Sequence, residues 1–244
     1  MHRFNLDKHL QQEHMRTPFS EYLKEIVYGG NDGIVTTFAV VAGFAGAQQD
    51  PLNTPLPVIS VLIFGLANLF ADGLSMGLGS FLSLRAEQDV YRSEKAKEAF
   101  EIKHEPESEY EETIEIFRRN SFTQQDAVAL ATLYRKYPEY WTEFMMKHEL
   151  NMSNPESEKP TFIALSTFTS FIIFGAIPLL PYILQMKTQV FSVSVVCTAI
   201  ALLLLGSLRG MVTKRKPLWG IAETLFVGAI SALAAYLVGT FFRI

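Results

Sequence analysis

Five long apolar stretches constrain this chain more than any other feature. They cover about residues 26–47, 58–84, 162–184, 190–208 and 218–242 of a 244-residue sequence. Each approaches the roughly 20 residues that an α-helix needs to cross the hydrocarbon core of a bilayer. The pattern predicts an all-α membrane protein with five transmembrane helices.

The charged residues are concentrated between the second and third apolar stretches. Of the 25 acidic and 21 basic residues, 17 acidic but only 10 basic ones lie between Glu87 and Lys159. This balance argues against nucleic acid as a partner and favours cations. The predicted domains are a polar N-terminal segment (1–20), transmembrane helices 1 and 2 (21–86), an acidic helical segment (87–160) and transmembrane helices 3 to 5 (161–244).

Helix signals divide the acidic segment into short helices. Residues 86–102 are rich in good helix formers, and Pro106 ends that run. Ser121 or Thr123 is the candidate cap of a third helix that reaches about Tyr137, and Pro138 opens the fourth. The single cysteine of the chain excludes a disulfide framework and cysteine-based metal sites.

The basic residues of the links predict the orientation in the membrane. The link before the last stretch carries Arg209, Lys214, Arg215 and Lys216, whereas the first link has no Lys or Arg. By the positive-inside rule, the N-terminus and the acidic segment are cytosolic. The first 20 residues contain no apolar core of a signal peptide, which favours a bacterial inner membrane over a vacuolar one.

Two acidic residues lie within apolar stretches. Asp32 belongs to NDGIVTTFAVVAG, and Asp72 forms a polar stripe with Asn68 and Met76 at four-residue spacing. An ionised carboxylate in hydrocarbon costs roughly 2.5–3.5 kcal/mol, and such residues usually mark ion or proton paths. Two alternatives remain open: a surface loop around Asp32, and a protonated Asp72 that hydrogen-bonds a neighbouring helix.

Candidate metal ligands recur in the acidic segment at helical spacing. Residues three or four apart share one helix face. A thioether beside carboxylate oxygens favours a borderline transition metal over Ca²⁺ or Mg²⁺. The alternative is a set of solvated helix faces with a core methionine, and spacing alone does not separate the set from Glu94, Glu105, Glu107, Glu111 and Glu115. The pairs are Glu98 with Glu101, Glu109 with Glu112, and Met145 with Glu149.

Several motifs identify a family resemblance. NDGIVTTFAVVAGFAGA, ANLFADGLSMGLGSFLSLRAE and FMMKHEL resemble the vacuolar iron transporter family, and the resemblance covers nearly the whole chain past Glu21. It implies a homodimer with five transmembrane helices and a cytosolic helical metal-binding domain between the second and third. It also implies an antiporter that moves Fe²⁺, and often Mn²⁺, out of the cytosol in exchange for protons. Gly73 and Gly77 are the only physical support for the dimer in the sequence.

The resemblance also assigns residues. Asp32 and Met76 fall on the family's membrane-embedded pair. Iron-transporting members of the plant type carry a glutamate where this chain has Asn68, and our hypothesis is that Asp72 takes over the missing charge. The family's metal-binding set falls on Glu98, Glu101, Glu109, Glu112, Met145 and Glu149.

The expected function is therefore secondary transport and not catalysis. No prosthetic group is expected, and Fe²⁺, Mn²⁺, Co²⁺ or Zn²⁺ would be bound as substrate, with protons and the bilayer as the other partners. Two alternatives are a membrane-anchored carboxylate ferroxidase or iron store, and a non-transporting scaffold whose acidic segment binds a partner. A ferroxidase would need histidine ligands beside the carboxylates of a two-iron site, and the histidines of the chain are not spaced to supply them.

Overall fold

The computed structural model describes residues 22–47, 58–186, 188–213 and 217–242, and these contain helices but no β-strand. The polar N-terminal segment 1–20, the first link and the cluster Lys214–Lys216 lie outside the described residues, as does the side chain of Arg209. The predicted orientation depends on them and stays a prediction.

The helices follow the apolar stretches and the proline signals of the sequence. They are α1 Leu23–Ala47, α2 Val58–His104, α3 Pro106–Arg119, α4 Gln124–Tyr134, α5 Pro138–His148, α6 Pro160–Gly175, a 3₁₀ turn Ile177–Leu179, α7 Leu180–Ile183, α8 Val190–Thr213 and α9 Pro217–Phe241.

Contacts divide the chain into two compact units. The apolar unit is Met1–Phe81 together with Thr161–Ile244, and the insert is Leu82–Pro160. The division falls within α2, which runs as one helix of 47 residues from an apolar first half into a charged second half. The second apolar stretch and the first helix of the acidic segment are therefore a single element.

Four helical segments among the described residues are long and apolar enough to cross a membrane. They are Val58–His104, Pro160–Ile183, Val190–Leu208 and Leu218–Phe241. Helix α1 has 25 residues, but it is not one of them. Its glycines together with Asn31 and Asp32 make it less apolar than the others. The all-α class is thus confirmed with four candidate spans, and the fifth span stays a prediction.

In the apolar unit, α1 packs directly against the backbone of α6. A Cβ at Gly29 would lie 2.5 Å from the carbonyl oxygen of Thr167. The hydroxyl of Ser170 donates a 2.6 Å hydrogen bond to the carbonyl of Ile26. Glycine is required here because the two helix backbones leave no room for a side chain.

The Gly73 and Gly77 pair packs within the same chain. A Cβ at Gly77 would lie 3.1 Å from the carbonyl oxygen of Ala164, and one at Gly73 would lie 3.1 Å from the ring of Phe171. Both glycines thus face α6, so the close approach predicted for them is satisfied by that helix. They give no separate support for contact with a second copy.

Prolines and one threonine set the helix boundaries of the insert. Pro106 and Pro138 occupy the first turns of α3 and α5, where a missing N–H has no consequence. The Thr123 hydroxyl accepts a 3.2 Å hydrogen bond from the N–H of Asp126 and caps α4. Thr123 is thus the cap and Ser121 is not. The helix ends at Tyr134, three residues earlier than predicted.

An aromatic and apolar core holds the insert helices together. Trp141 and Met145 of α5 are fully buried and pack with Ile102 of α2. The rings of Phe117 and Tyr134 stack at 5.7 Å between centroids, which joins α3 to α4. This core fixes which helix faces meet at the site described below.

We predict that Gly29→Ala lowers the free energy of unfolding by about 1–3 kcal/mol, because the added methyl group meets the α6 backbone. Gly79→Ala is the matched control, since a Cβ at Gly79 meets nothing within 4 Å. Thermal unfolding of the detergent-solubilised chain measures both. Equal melting temperatures for the two variants would contradict the close contact.

Candidate metal centre

Three glutamates from three helices of the insert converge on one point. Glu98 lies on α2, Glu109 lies on α3, and Glu149 follows the last residue of α5. Each offers a carboxylate oxygen, and the three oxygens lie within 4.8 Å of one another. Carboxylates at this separation repel one another unless protons or a cation lie between them.

Two of these carboxylates are buried without a full set of partners. The side chains of Glu98 and Glu109 are 3% and 5% exposed. Glu98 Oε1 and Glu109 Oε2 have no hydrogen-bond partner among the described residues. Buried polar atoms are nearly always partnered, and burial of a charge is costly unless it is paired or bound to a metal. The two oxygens therefore fit the requirements of a cation.

The electrostatics of the cluster retain protons when no cation is bound. Burial, followed by the hydrogen bond and negative charge of Glu109, raises the pKa of Glu98 to about 8. Burial and the charges of Glu112 and Glu109 raise the pKa of Glu149 to about 7. Glu149 also lies at the C-terminus of a helix, where the helix dipole disfavours a negative charge. Burial raises the pKa of Glu109 as well.

The other two predicted glutamates flank the cluster. Glu101 is partly exposed, with its carboxylate 3.9 Å from the Lys97 ammonium. Glu112 is exposed and accepts a 3.3 Å hydrogen bond from the hydroxyl of Ser108. Their charges act on the inner carboxylates. The structure thus brings three of the five predicted glutamates together and places two beside them.

Met145 lies one turn before Glu149 and is fully buried. Its sulfur lies 3.4 Å from the Thr113 hydroxyl, which accepts a 2.7 Å hydrogen bond from Trp141 Nε1. Thr113 is not among the residues predicted from the sequence, because those were restricted to residue types that bind metals. The signal was present, since Thr113 stands four residues after Glu109 and Trp141 four residues before Met145.

In the apolar unit, α1 and α2 bring two acids near each other. Asp32 and Asp72 are both partly exposed, and the charge of Asp72 acts on Asp32. Asn68 lies one turn before Asp72 and lines a groove of about 720 Å³ with residues of α1 and α9. Met76 packs against the apolar core that includes Phe38 and Leu69. These are the four residues that the sequence analysis placed on a membrane path.

The comparison with known families agrees with the motifs. The sequence profile of the VIT family matches residues 23–240. The chain belongs to the VIT family. The match includes Asp32, Asp72 and all three converging glutamates, and it confirms the resemblance found in the sequence.

Named relatives in the VIT family are similar along nearly their whole length. A vacuolar iron transporter of Centaurea cyanus is 34% identical over 233 residues, 94% of this chain and 92% of that protein. Vacuolar iron transporter 1 of Arabidopsis thaliana is 34% identical over 88% of this chain and 84% of that protein. A vacuolar iron transporter of Plasmodium berghei is 31% identical over 99% of this chain and 89% of that protein.

We predict that the metal-free chain loses stability as the pH rises. The folded pKa values of Glu98 and Glu149, about 8 and about 7, exceed the ordinary 4.5. Their contribution is fully present below about pH 4.5 and is lost as the pH rises through 7 and 8. Unfolding followed by tryptophan fluorescence, with a chelator present, measures the decline.

Two variants test the assignment of this pH dependence. Glu98→Gln keeps the shape of the protonated side chain and should flatten the decline. Glu111→Gln changes an exposed glutamate outside the cluster and should leave it unchanged. Parallel stability profiles for wild type and Glu98→Gln would show that the buried carboxyl does not hold the proton.

Proposed function

We propose that this chain carries Fe²⁺, and also Mn²⁺, out of the cytosol in exchange for protons. Membership of the VIT family and relatives named vacuolar iron transporters support metal transport. The observation that carries the proposal is the convergence of Glu98, Glu109 and Glu149 with two unpartnered buried oxygens. On this proposal the chain is a secondary transporter and not an enzyme, and the metal is its cargo.

The insert is the proposed cytosolic acceptor of the metal. Its excess of acidic residues attracts cations and raises their local concentration. A divalent ion that enters the cluster replaces the protons held by Glu98 and Glu149 and removes the repulsion among the carboxylates. The cluster found among the described residues consists of glutamates alone, which supports ion capture over a ferroxidase with histidine-bound iron.

The proposed membrane path runs along α1 and α2. Helix α1 is the proposed transmembrane span that adds to the four candidate spans. Asp32 and Met76 offer an oxygen and a sulfur ligand at membrane depth. Asp72 supplies the charge that plant-type members carry at the position of Asn68. Asp72 on α2 lies near Asp32 on α1, which supports a shared role for the two acids. Each carboxylate holds either the metal or a proton, and this exchange couples the two fluxes.

A homodimer completes this proposal. Asp72 is partly exposed in the single chain, and a carboxylate that faces lipid is costly. A second copy would cover it. The neighbouring groove between α1, α2 and α9 is mostly apolar and contains Asn68, so it offers a surface on which the second copy would pack. With the N-terminus and insert cytosolic, the proposed location is a bacterial inner membrane, and a vacuolar membrane is the alternative.

The transport proposal is tested by Fe²⁺ flux into proteoliposomes with an imposed pH gradient, with Mn²⁺ run in parallel. Wild type should show flux that depends on the gradient, and Asp32→Asn should reduce it to the level of empty liposomes. Asp89→Asn makes the same chemical change at an exposed position and should transport like wild type. Equal flux for Asp32→Asn and wild type would remove Asp32 from the path.

The acceptor role is tested by metal binding to the full chain in detergent. Glu98→Gln combined with Glu109→Gln should weaken Zn²⁺ and Mn²⁺ binding more than about tenfold, because it removes two charged ligands. Part of the transport should remain, since the membrane path is intact. Glu87→Gln combined with Glu111→Gln alters two exposed glutamates and should bind like wild type. Undiminished affinity in the first variant would exclude the cluster as the acceptor.

A further inference from the structure

A short chain of polar contacts links α5 to α3 inside the insert, one turn along the sequence from Glu109 and from Glu149. Trp141 Nε1 donates a 2.7 Å hydrogen bond to Thr113 Oγ1, which lies 3.4 Å from the sulfur of Met145. We infer that Thr113, held by Trp141, is a positioning residue that sets the preference of the insert for metals that accept sulfur ligands. This inference rests on the proposed role of the insert as metal acceptor and on the Met145 thioether as one of its ligands, which the family resemblance implies.

The hydroxyl of Thr113 has one hydrogen to give, and two groups compete for it. The carbonyl oxygen of Glu109 lies 2.7 Å from Oγ1, whereas the Met145 sulfur lies 3.4 Å away. A carbonyl is a strong acceptor and a thioether a weak one. The hydrogen therefore goes to the carbonyl of Glu109. The hydroxyl therefore positions the sulfur by contact and through its hydrogen bond from Trp141, which lies on the same helix as Met145, and the sulfur keeps its lone pairs for a metal.

Burial makes this arrangement rigid. Thr113, Trp141 and Met145 are 0%, 1% and 0% exposed. No water can replace the Thr113 hydroxyl at such a site, and the close packing leaves the methionine few alternative rotamers. Methionine is otherwise the most adaptable of the apolar side chains. A sulfur that is held in one place therefore requires close neighbours, and the Thr113 hydroxyl is one of them.

Thr113 and Met145 each lie one turn from a glutamate of the cluster. Thr113 stands one turn after Glu109 on α3, and Met145 stands one turn before Glu149 on α5. The Thr113 hydroxyl thus joins the end of α3 that carries Glu109 to the end of α5 that precedes Glu149. Thioether sulfur favours softer ions such as Zn²⁺ over Mn²⁺, which prefers carboxylate and water. The placement of the sulfur therefore determines how strongly the site distinguishes these ions.

The variant Thr113→Val removes the hydroxyl and keeps the shape of the side chain. We expect the affinity for Zn²⁺ to fall about tenfold, as is common when an outer partner of a metal ligand is lost. The affinity for Mn²⁺ should change much less, so the ratio of the two affinities falls. Thr113→Ser keeps the hydroxyl and should restore the wild-type ratio.

A second variant separates an effect on stability from an effect on metal preference. Thr113→Val leaves the indole N–H of Trp141 buried without a partner, which by itself destabilises the insert. Adding Trp141→Phe removes that unpartnered donor. The double variant should regain thermal stability but keep the reduced ratio of Zn²⁺ to Mn²⁺ affinity. Recovery of the ratio together with the stability would reduce Thr113 to a structural residue and overturn the inference.

The full chain in detergent is titrated with Zn²⁺ alone and with Mn²⁺ alone. Nuclear magnetic resonance of ¹⁵N-labelled indole groups then follows the two tryptophans, with Trp219→Phe to assign the signals. Zn²⁺ should shift the Trp141 N–H signal in wild type and in Thr113→Ser. An unchanged affinity ratio in Thr113→Val overturns this inference alone. Undiminished Zn²⁺ affinity in Glu98→Gln with Glu109→Gln overturns the acceptor role and this inference together.

Discussion

Repulsion among three neighbouring carboxylates, two of them buried, is the constraint that decides the chemistry of the insert. Glu98, Glu109 and Glu149 come from three helices and bring oxygens within 4.8 Å. The aromatic core and surface ion pairs such as Lys95 with Glu143, at 3.2 Å, stabilise this arrangement from outside. Exposed pairs contribute little, about 0–1 kcal/mol each. The carboxylates must therefore hold protons or a cation, and on the proposed function the same cluster is both a metal ligand set and a proton store.

The apolar unit places a comparable constraint on its own two acids, Asp32 and Asp72. Helix α1 can lie against α6 only because Gly29 leaves room for the Thr167 backbone. That contact fixes the turn of α1 that carries Asp32, and α2 places Asp72 where its charge acts on Asp32. On the proposed function, the two units use one chemistry: carboxylates that exchange a divalent ion for protons. The insert collects the ion, and the acids of the apolar unit carry it.

Much of the fold follows from local signals, whereas the site depends on how helix faces meet. Apolar length, Pro106, Pro138 and the Thr123 cap predicted the class and most helix boundaries because each acts over a few residues. Spacing predicted that Glu98 and Glu101 share a face, but only packing shows that Glu98 turns inward. Gly73 and Gly77 were expected to accept another helix, and that helix is α6 of the same chain. The inferred role of Thr113 depends on contacts between α3 and α5, and the spacing of Thr113 from Glu109 indicates a shared helix face but does not specify those contacts.

Calorimetric titration of Zn²⁺ into the full chain near pH 7, in buffers of different ionisation enthalpy, tests the central claim most directly. The observed enthalpy should depend on the buffer, because each bound ion displaces about one to two protons from Glu98 and Glu149. The same titration of Glu98→Gln should release fewer protons. Metal binding without proton release, or equal release from both proteins, would contradict the exchange of metal for protons at this cluster.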